Sequence, residues 1–219
     1  LFRSVASEAT RFAFNGVLVK VGLDGLEFVA TDGRRMAVTY HNTNAFKAKQ
    51  AIIPREILPL IGKLAFEDVQ FAIEENRVHI STRDATLSTN LVEGQFPPYE
   101  NVIPKDTNKK MTASTADLLT AVRRASLLTS EESRGVVLSF NKRGLVITGS
   151  SPTQGEAVVT FPCKYEGADM EIRFNPDFLI DALKVIETDE VTLKMLAFHR
   201  PGVIVSRDFK YVLMPVNKE

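Results

Sequence analysis

The chain has 219 residues, of which 44% are hydrophobic and 25% charged, and this composition predicts a soluble protein with enough chain for two cores. Its 27 basic and 27 acidic residues cancel, which argues against tight nonspecific binding of nucleic acid through many phosphates. One cysteine excludes an intramolecular disulfide framework, and no apolar run is long enough to span a bilayer.

In the first half of the chain, the spacing of apolar residues predicts a mixture of strands and helices. Residues 1–9 look like the end of a helix whose beginning is missing. Alternation with a period of two then predicts strands, and the turn dipeptide Asp24-Gly25 indicates that the first two form a hairpin. Pro54 opens a predicted helix that runs to Leu64, and we expect Pro59 to kink it. The predicted strands are residues 16–21, 26–30, 69–73, 78–81 and 87–91.

The second half of the chain carries clearer helix signals. Ser114 precedes a helix that apolar spacing predicts over residues 116–128. Asn175 is the expected N-cap of another helix, with Pro176 at its first position and an apolar stripe that reaches Ile186. Alternating residues again predict strands, at 136–140, 145–148, 191–195, 203–206 and 211–214.

The two halves repeat one another. Gly16 and Gly135 are 119 positions apart, as are Gly25 and Gly144, and the residues around each pair have similar turn and strand signals. Small insertions shift the later segments only slightly. A repeat this long is a whole domain rather than a solenoid unit.

Each repeat is therefore predicted to be an α+β domain with mostly antiparallel strands and two helices, whose apolar stripes need a sheet to cover. Residues 103–110 are polar and contain a proline, and we interpret them as the linker. The predicted domains are residues 1–106 and 107–219.

The residues give little indication of catalysis. His41, His79 and His199 are scattered and lack metal-ligand spacing. Cys163 has no cysteine partner and is best interpreted as a structural thiol. Residues 149–155 are small but lack the glycine and lysine pattern of a phosphate-binding loop. We expect no catalytic site, no metal and no cofactor.

One polar segment carries more information. On residue types alone, residues 31–35 form a turn with exposed arginines. The wider segment Ala30-Thr31-Asp32-Gly33-Arg34-Arg35-Met36-Ala37 resembles the Ala-Thr-Asp-Gly-His-Arg-Leu-Ala motif of the bacterial sliding clamp family, the β subunits of DNA polymerase III. The resemblance covers essentially the whole chain, through residues 14–16, 91–99, 133–135 and 211–215.

The chain departs from the family pattern at four positions. Arg34 stands where the family usually has histidine and Met36 where it has leucine. Asn101 and Ser133 stand where other members carry larger groups. We expect these departures to affect which partner peptides the chain binds and how tightly it binds them, and not its resemblance to the family.

The resemblance implies an architecture and a function. Family members have three similar domains, with antiparallel sheets outside and two helices per domain on the inner face, and two subunits close head to tail into a ring. We expect this chain, which begins at Leu1 rather than methionine, to be the second and third domains, without the opening strand of the second. The implied function is a ring that slides on duplex DNA and tethers polymerase in the bacterial cytoplasm, without covalent chemistry.

The resemblance also implies two sets of site residues. Clamps bind extended peptides of polymerases and the clamp loader in a cleft between their second and third domains, and a few cations on the inner helices face DNA. The implied cleft residues are Phe14, Thr31, Gly33, Arg34, Arg35, Met36, Pro97, Val102, Asn175, Phe178, Val212, Leu213, Met214, Pro215 and Val216. The implied DNA-facing residues are Arg3, Arg55, Lys63, Arg123, Arg124 and Lys184.

Plainer interpretations of these residues stay open. Met36, Leu213 and Met214 are also what the core of terminal strands would contain, and the cations also suit a solvated helix face because acidic residues are interleaved with them. For the whole chain, the alternatives are accessory domains of an enzyme whose catalytic domain is missing, and an adaptor of two repeated domains that does not bind nucleic acid.

Overall fold

The computed structural model describes residue 4 and residues 14–22, 25–43, 48–64, 69–129 and 135–216. The chain forms two compact units, Leu1–Tyr99 and Glu100–Glu219. The boundary predicted from the sequence lay after residue 106. The helix predicted at residues 1–9 lies outside the described residues, apart from Ser4.

The first unit contains two antiparallel sheets and a short helix. One sheet has four strands in the order β3-β2-β1-β4, and the other has three in the order β5-β6-β7. A 3₁₀ turn over Arg55–Ile57 leads into the helix. The elements are β1 Gly16–Gly22, β2 Gly25–Thr31, β3 Arg35–His41, β4 Lys49–Pro54, α1 Leu58–Leu64, β5 Gln70–Ile73, β6 Arg77–Ser81 and β7 Thr86–Asn90.

The core of the first unit joins its two sheets. Val17 and Val19 of β1 pack with Ile53 of β4 and with Val78 and Ile80 of β6, and all five side chains are buried. The inward residues of β6 follow the two-residue period of a strand with one buried face. β1 was expected to have one buried face, but Leu18 is buried as well as Val17 and Val19.

The second unit has the same plan with additional strands. One sheet has the order β11-β10-β9-β13, and the other runs β12-β8-β14-β15-β16. All pairs within these sheets are antiparallel. The elements are β8 Lys109–Ser114, α2 Thr115–Ser126, β9 Val136–Asn141, β10 Gly144–Ser151, β11 Gly155–Phe161, β12 Lys164–Glu166, β13 Met170–Phe174, α3 Pro176–Leu183, β14 Glu190–Met195, β15 Gly202–Ser206 and β16 Phe209–Leu213.

The predicted repeat is confirmed by the topology. The order β3-β2-β1-β4 in the first unit corresponds to β11-β10-β9-β13 in the second, and β5-β6-β7 corresponds to β14-β15-β16. Gly16 and Gly135 occupy equivalent places: a Cβ added at either would lie 2.6 Å from a carbonyl oxygen, of Ile53 and Phe174 respectively. Both positions therefore require glycine for the same close backbone approach.

The helix starts of the second unit were predicted correctly. The Ser114 side chain accepts a hydrogen bond from the Asp117 N–H at 3.4 Å, and Asn175 accepts one from the Asp177 N–H at 2.9 Å. Pro176 is the first residue of α3, as predicted. The buried stripe of α2 packs on β10, β11 and α3, and it consists of Leu118, Ala121, Val122 and Ala125.

Three local predictions were wrong. α1 begins only at Leu58, so Pro59 lies in its first turn, where an N–H has no partner within the helix and proline is tolerated. α3 ends at Leu183, before Ile186. Residues 109 and 110, interpreted as linker, open β8, whose Met111 is held between β12 and β14.

Candidate functional site

The turn between β2 and β3 is fixed by its own side chains. Oδ1 of Asp32 accepts hydrogen bonds from the N–H groups of Arg34 and Arg35, at 3.0 and 2.9 Å. Oδ2 of Asp32 pairs with Nε of Arg35 at 3.0 Å, and both side chains are mostly shielded from water. A charge-assisted bond in this setting orients the Arg35 side chain, while Arg34 is left exposed.

The other predicted residues of this turn complete its geometry. Thr31 is buried, and its hydroxyl donates to the Arg35 carbonyl at 2.8 Å and accepts from the Gly33 N–H at 3.1 Å. Gly33 has a φ of +83°, which favours glycine, and the ring of Phe14 lies 3.8 Å from where its Cβ would be. The structure therefore brings Phe14, Thr31, Gly33, Arg34 and Arg35 together.

A buried tyrosine anchors the segment that contains Pro97. Tyr99 is only 3% exposed, and its hydroxyl donates to Glu27 Oε2 at 2.6 Å and accepts from Lys20 Nζ at 2.7 Å. Its N–H donates to the carbonyl of the half-buried Pro97 at 2.8 Å. The Phe96 ring packs edge-on against the Tyr99 ring, with centroids 6.2 Å apart. Tyr99 was not among the predicted site residues; its signal in the sequence was an aromatic residue directly after two prolines.

The C-terminal residues of the site divide by burial. Val212 and Leu213 of β16 are buried, whereas Met214, directly after the strand, is 39% exposed. Pro215 and Val216 are half-buried. Residues 212–216 therefore present a single adaptable side chain, Met214, at the surface of the second unit.

The end of the chain and the start of α3 lie together. The Val216 N–H donates to the Arg173 carbonyl at 2.9 Å, and Arg173 is two residues before Asn175, the N-cap of α3. Phe178, in the first turn of α3, is half-buried, and α3 packs on β16. The start of α3 and residues 214–216 are therefore neighbours within the second unit.

The two remaining predicted cleft residues differ in exposure; Met36 is the cross-strand partner of Thr31. Met36 is 4% exposed in β3, so the core interpretation fits Met36 as it fits Leu213. Val102 is 44% exposed, follows the 3₁₀ turn Tyr99–Asn101, and belongs to the second unit although the sequence assigned it to the first copy.

The predicted DNA-facing cations are mostly exposed. Arg123 and Arg124 are exposed in the last turn of α2, and Lys184 is exposed at the C-cap of α3. Lys63 is exposed near the end of α1, Arg55 is half-buried, and Arg3 lies outside the described residues. Cations at helix C-termini are favoured by the helix dipole, so these positions also have a local reason to be basic.

The groups that could carry chemistry are dispersed. Among the described residues, no three His, Cys, Asp or Glu side chains are grouped to hold a metal ion. Nδ1 of His79 is hydrogen-bonded to the Ser88 hydroxyl at 2.7 Å. Cys163 is a half-buried free thiol whose pKa is raised by burial. No helix in the described part of the chain combines the length and apolarity that crossing a membrane requires.

Two α+β units of matching topology, built from antiparallel sheets and short helices, have the architecture of the DNA clamps. Family models place the chain within that class: residues 2–98 match the central domain of the DNA polymerase III beta subunit, and residues 100–217 match its C-terminal domain. The chain belongs to the DNA polymerase III beta subunit family.

Relatives agree over nearly the whole chain. The beta sliding clamp of Vibrio cholerae is 32% identical over 220 residues, which are 97% of this chain and 60% of the relative. The crystal structure of the Pseudomonas aeruginosa DNA polymerase III subunit beta superimposes with a TM-score of 0.93 at 29% identity, covering 98% of this chain and 61% of that one. The P. aeruginosa sliding clamp bound to griselimycin gives 0.92 at 30% identity, covering 99% and 61%. The chain thus spans about 60% of the length of these proteins.

Proposed function

We propose that the protein containing this chain is a DNA sliding clamp, a processivity factor that encircles duplex DNA and tethers polymerases and repair proteins through short peptides. The topological repeat, together with the match to two consecutive clamp domains, carries this proposal. The full-length protein acts as a head-to-tail homodimer in the bacterial cytoplasm and has no catalytic site of its own.

Peptide binding is supported most directly by the surface around Met214. A flexible thioether that is 39% exposed is followed by the half-buried Pro215, and the next residue, Val216, is hydrogen-bonded just before α3, the helix that carries the half-buried Phe178. Such a surface can accept apolar side chains of differing shape at little cost. In the first unit, the Asp32 turn offers polar groups that suit a peptide backbone, because Arg35 is already oriented and Arg34 is exposed.

DNA sliding is supported by the sign and the sparseness of charge on the helices. The exposed residues of α2 include Arg123 and Arg124 but also Asp117, and the chain as a whole has a formal charge of zero. A few cations attract phosphates over about one Debye length, roughly 8–10 Å, without the dense pairing that would hold a ring in place.

Peptide binding is tested by titration calorimetry. A peptide with a glutamine and a downstream Leu-Phe pair should bind the chain at micromolar affinity, typical of a short extended ligand that loses chain entropy on docking. Met214→Asp should abolish binding, because an unpaired carboxylate would be desolvated against the peptide. Arg35→Ala should weaken it more mildly through lost polar contacts.

The matched control is Val158→Ser, which makes a 59% exposed apolar residue polar on β11, in the other sheet of the second unit. It should bind the peptide like the unmodified chain. Equal affinity for all four proteins would place the peptide site elsewhere and leave residues 212–216 as a terminal strand without a binding role.

DNA binding is tested by charge reversal on α2. Linear duplex, which the chain cannot encircle alone, should bind weakly, and binding should fall steeply with salt. Replacing Arg123 and Arg124 by glutamate should weaken duplex binding, measured as a smaller rise in the fluorescence anisotropy of labelled duplex. The control makes the same replacement at Lys142 and Arg143, two exposed cations in the β9–β10 turn, and should weaken binding less. Equal losses, or tight binding that ignores salt, would refute a DNA-facing role for α2.

A further inference from the structure

The sheet β3-β2-β1-β4 carries a row of polar side chains on the face that points away from the core of the first unit. Lys20 follows the core residue Val19 along β1, so its side chain points to the opposite face. Lys20 pairs with Gln50 of β4 and with Glu27 of β2, and Glu27 pairs with Tyr40 of β3. Residues paired in this way have their side chains on the same face, with Cβ atoms about 5 Å apart. The row therefore crosses the whole sheet.

The adjacent row, at the end of the sheet, has almost no side chains. Gly22 lies two residues beyond Lys20 in β1 and pairs with Gly25, two residues before Glu27 in β2. Ala48, directly before β4, lines the same place. The long polar side chains therefore border a floor of backbone, and a cleft of about 660 Å³ lies there. Pockets that bind small molecules measure roughly 300–1,000 Å³, so the cleft has the size of a ligand site.

The polar row gives the cleft groups that no other described residue engages. Glu27 accepts a hydrogen bond from the Tyr99 hydroxyl at 2.6 Å through Oε2, and its Oε1 accepts none from the described residues. The Tyr40 hydroxyl and the Gln50 amide also have no hydrogen-bond partner in the described part of the chain. The Tyr40 side chain is 38% exposed and reaches over Gly25, where an added Cβ would lie 2.9 Å from its hydroxyl oxygen. The cleft therefore combines an aromatic wall with a carboxylate oxygen and an amide.

The charges around the cleft favour a ligand that has hydrogen-bond acceptors beside donors. Lys20 lies next to Glu27 on the neighbouring strand, so a carbonyl oxygen is attracted to one and N–H groups to the other. Guanine presents a carbonyl oxygen, a ring N–H and an amino group in this order along one edge, and its flat face can stack on the Tyr40 ring. Lys49 also lines the cleft, and although its ammonium donates to the Ile73 carbonyl, its positive charge suits a phosphate.

We propose that this cleft, here called the Gly22 cleft after its floor, binds a guanine nucleotide. The base stacks on Tyr40, its ring N–H and amino group donate to Glu27, and its carbonyl oxygen faces Lys20. The Gly22 cleft uses none of the residues assigned to peptide or DNA binding, so this inference does not depend on the proposed function. A guanine within a single-stranded nucleic acid offers the same base chemistry as a free nucleotide, and the experiment distinguishes the two.

The test is a nuclear magnetic resonance titration of the chain with guanosine monophosphate (GMP). GMP should bind saturably with a dissociation constant of about 0.1–1 mM, as expected for an open site with few contacts. Inosine monophosphate lacks only the amino group, and it should bind about tenfold more weakly because a hydrogen bond to a carboxylate is lost. The single-stranded trinucleotide d(TGT) should bind no more tightly than GMP, because the cleft has room for one nucleotide. Tighter binding of d(TGT) would overturn the free nucleotide as the ligand.

Substitutions on the floor and the wall locate the binding. Gly22→Leu places a side chain on the floor, where a Cβ meets only the Gly25 carbonyl oxygen at 3.6 Å, and should abolish GMP binding. The matched control Gly62→Leu makes the same change in α1, where a Cβ meets no atom within 4 Å, and should bind GMP like the unmodified chain. Tyr40→Leu removes the stacking surface and should weaken binding at least about fivefold, whereas Tyr40→Phe retains the ring and the affinity.

Three results would each overturn the Gly22 cleft as a guanine site: no saturable GMP binding by the unmodified chain, equal affinity for GMP and inosine monophosphate, or full binding by the Gly22→Leu variant. Thermal unfolding of each variant verifies that it is folded. If Gly22→Leu does not fold, the comparison of Tyr40→Leu with Tyr40→Phe decides, and equal affinities of these two would overturn the proposal. Peptide binding around Met214 is measured separately and is unaffected by any of these results.

Discussion

Tyr99→Phe should destabilise the first unit, because the Tyr99 hydroxyl joins two charged side chains on neighbouring strands. It donates to Glu27 at 2.6 Å and accepts from Lys20 at 2.7 Å, while the ring is buried and receives the Lys20 ammonium 4.5 Å from its centroid. The substitution removes one oxygen atom and leaves the packing of the ring in place. The measured loss therefore reports the hydrogen bonds.

The size of the loss follows from the surroundings of the two charges. A hydrogen bond to a charged group is worth about 1.5–3 kcal/mol, so two such bonds set an upper limit near 6 kcal/mol. Lys20 and Glu27 are only half-buried, and they are direct cross-strand partners, so water and each other replace much of what is lost. We expect a decrease of about 1–2.5 kcal/mol in the free energy of unfolding.

Urea unfolding followed by circular dichroism measures this change. The control is Tyr40→Phe, which removes the hydroxyl of a tyrosine that is 38% exposed on the same sheet and should cost less than about 0.5 kcal/mol. In a double-mutant cycle, Tyr99→Phe and Glu27→Gln should be less than additive. A loss for Tyr99→Phe no larger than that of the control would refute the anchoring role of Tyr99.

Three further outcomes are expected. Gly62→Ala should raise stability by about 0.5–1 kcal/mol, since a Cβ there meets no atom within 4 Å and glycine is a poor helix former; a lower urea midpoint would contradict this. Burial raises the pKa of the Cys163 thiol, so at pH 8 iodoacetamide should modify the folded chain more slowly than the unfolded chain, and the rate should increase as the pH rises. Equal rates for the folded and unfolded chains would contradict this pKa shift. Sedimentation should show a monomer, because head-to-tail closure needs two complementary surfaces and this chain spans about 60% of the length of its relatives. A stable closed dimer would contradict this expectation.

Sequence patterns predicted the elements that have one buried face. β6 and β9 alternate between buried and more exposed residues, and α2 carries one buried stripe, so their periodicity was readable. β8 was missed because only Met111 and Ala113 point inward among lysines and hydroxyl residues. Its place comes from two neighbouring strands, which local sequence does not specify.

The candidate site shows the same division. The turn at Asp32 could be predicted because aspartate and glycine define its geometry locally. Burial at the end of the chain could not, because Val212 and Leu213 are both buried and the alternation that separates two faces is lost there. Only the structure distinguishes Leu213 from the exposed Met214.

The central claim, a peptide-binding surface at Met214, is tested most directly by the methionine methyl groups. The chain has five methionines, and NMR of the ¹³C-methyl-labelled chain reports each one separately. On titration with the glutamine and Leu-Phe peptide, the Met214 signal should shift most, while the fully buried Met111 and Met195 should stay in place. A saturable shift at Met111 or Met195 with none at Met214, or no shift at any methionine, would contradict the account.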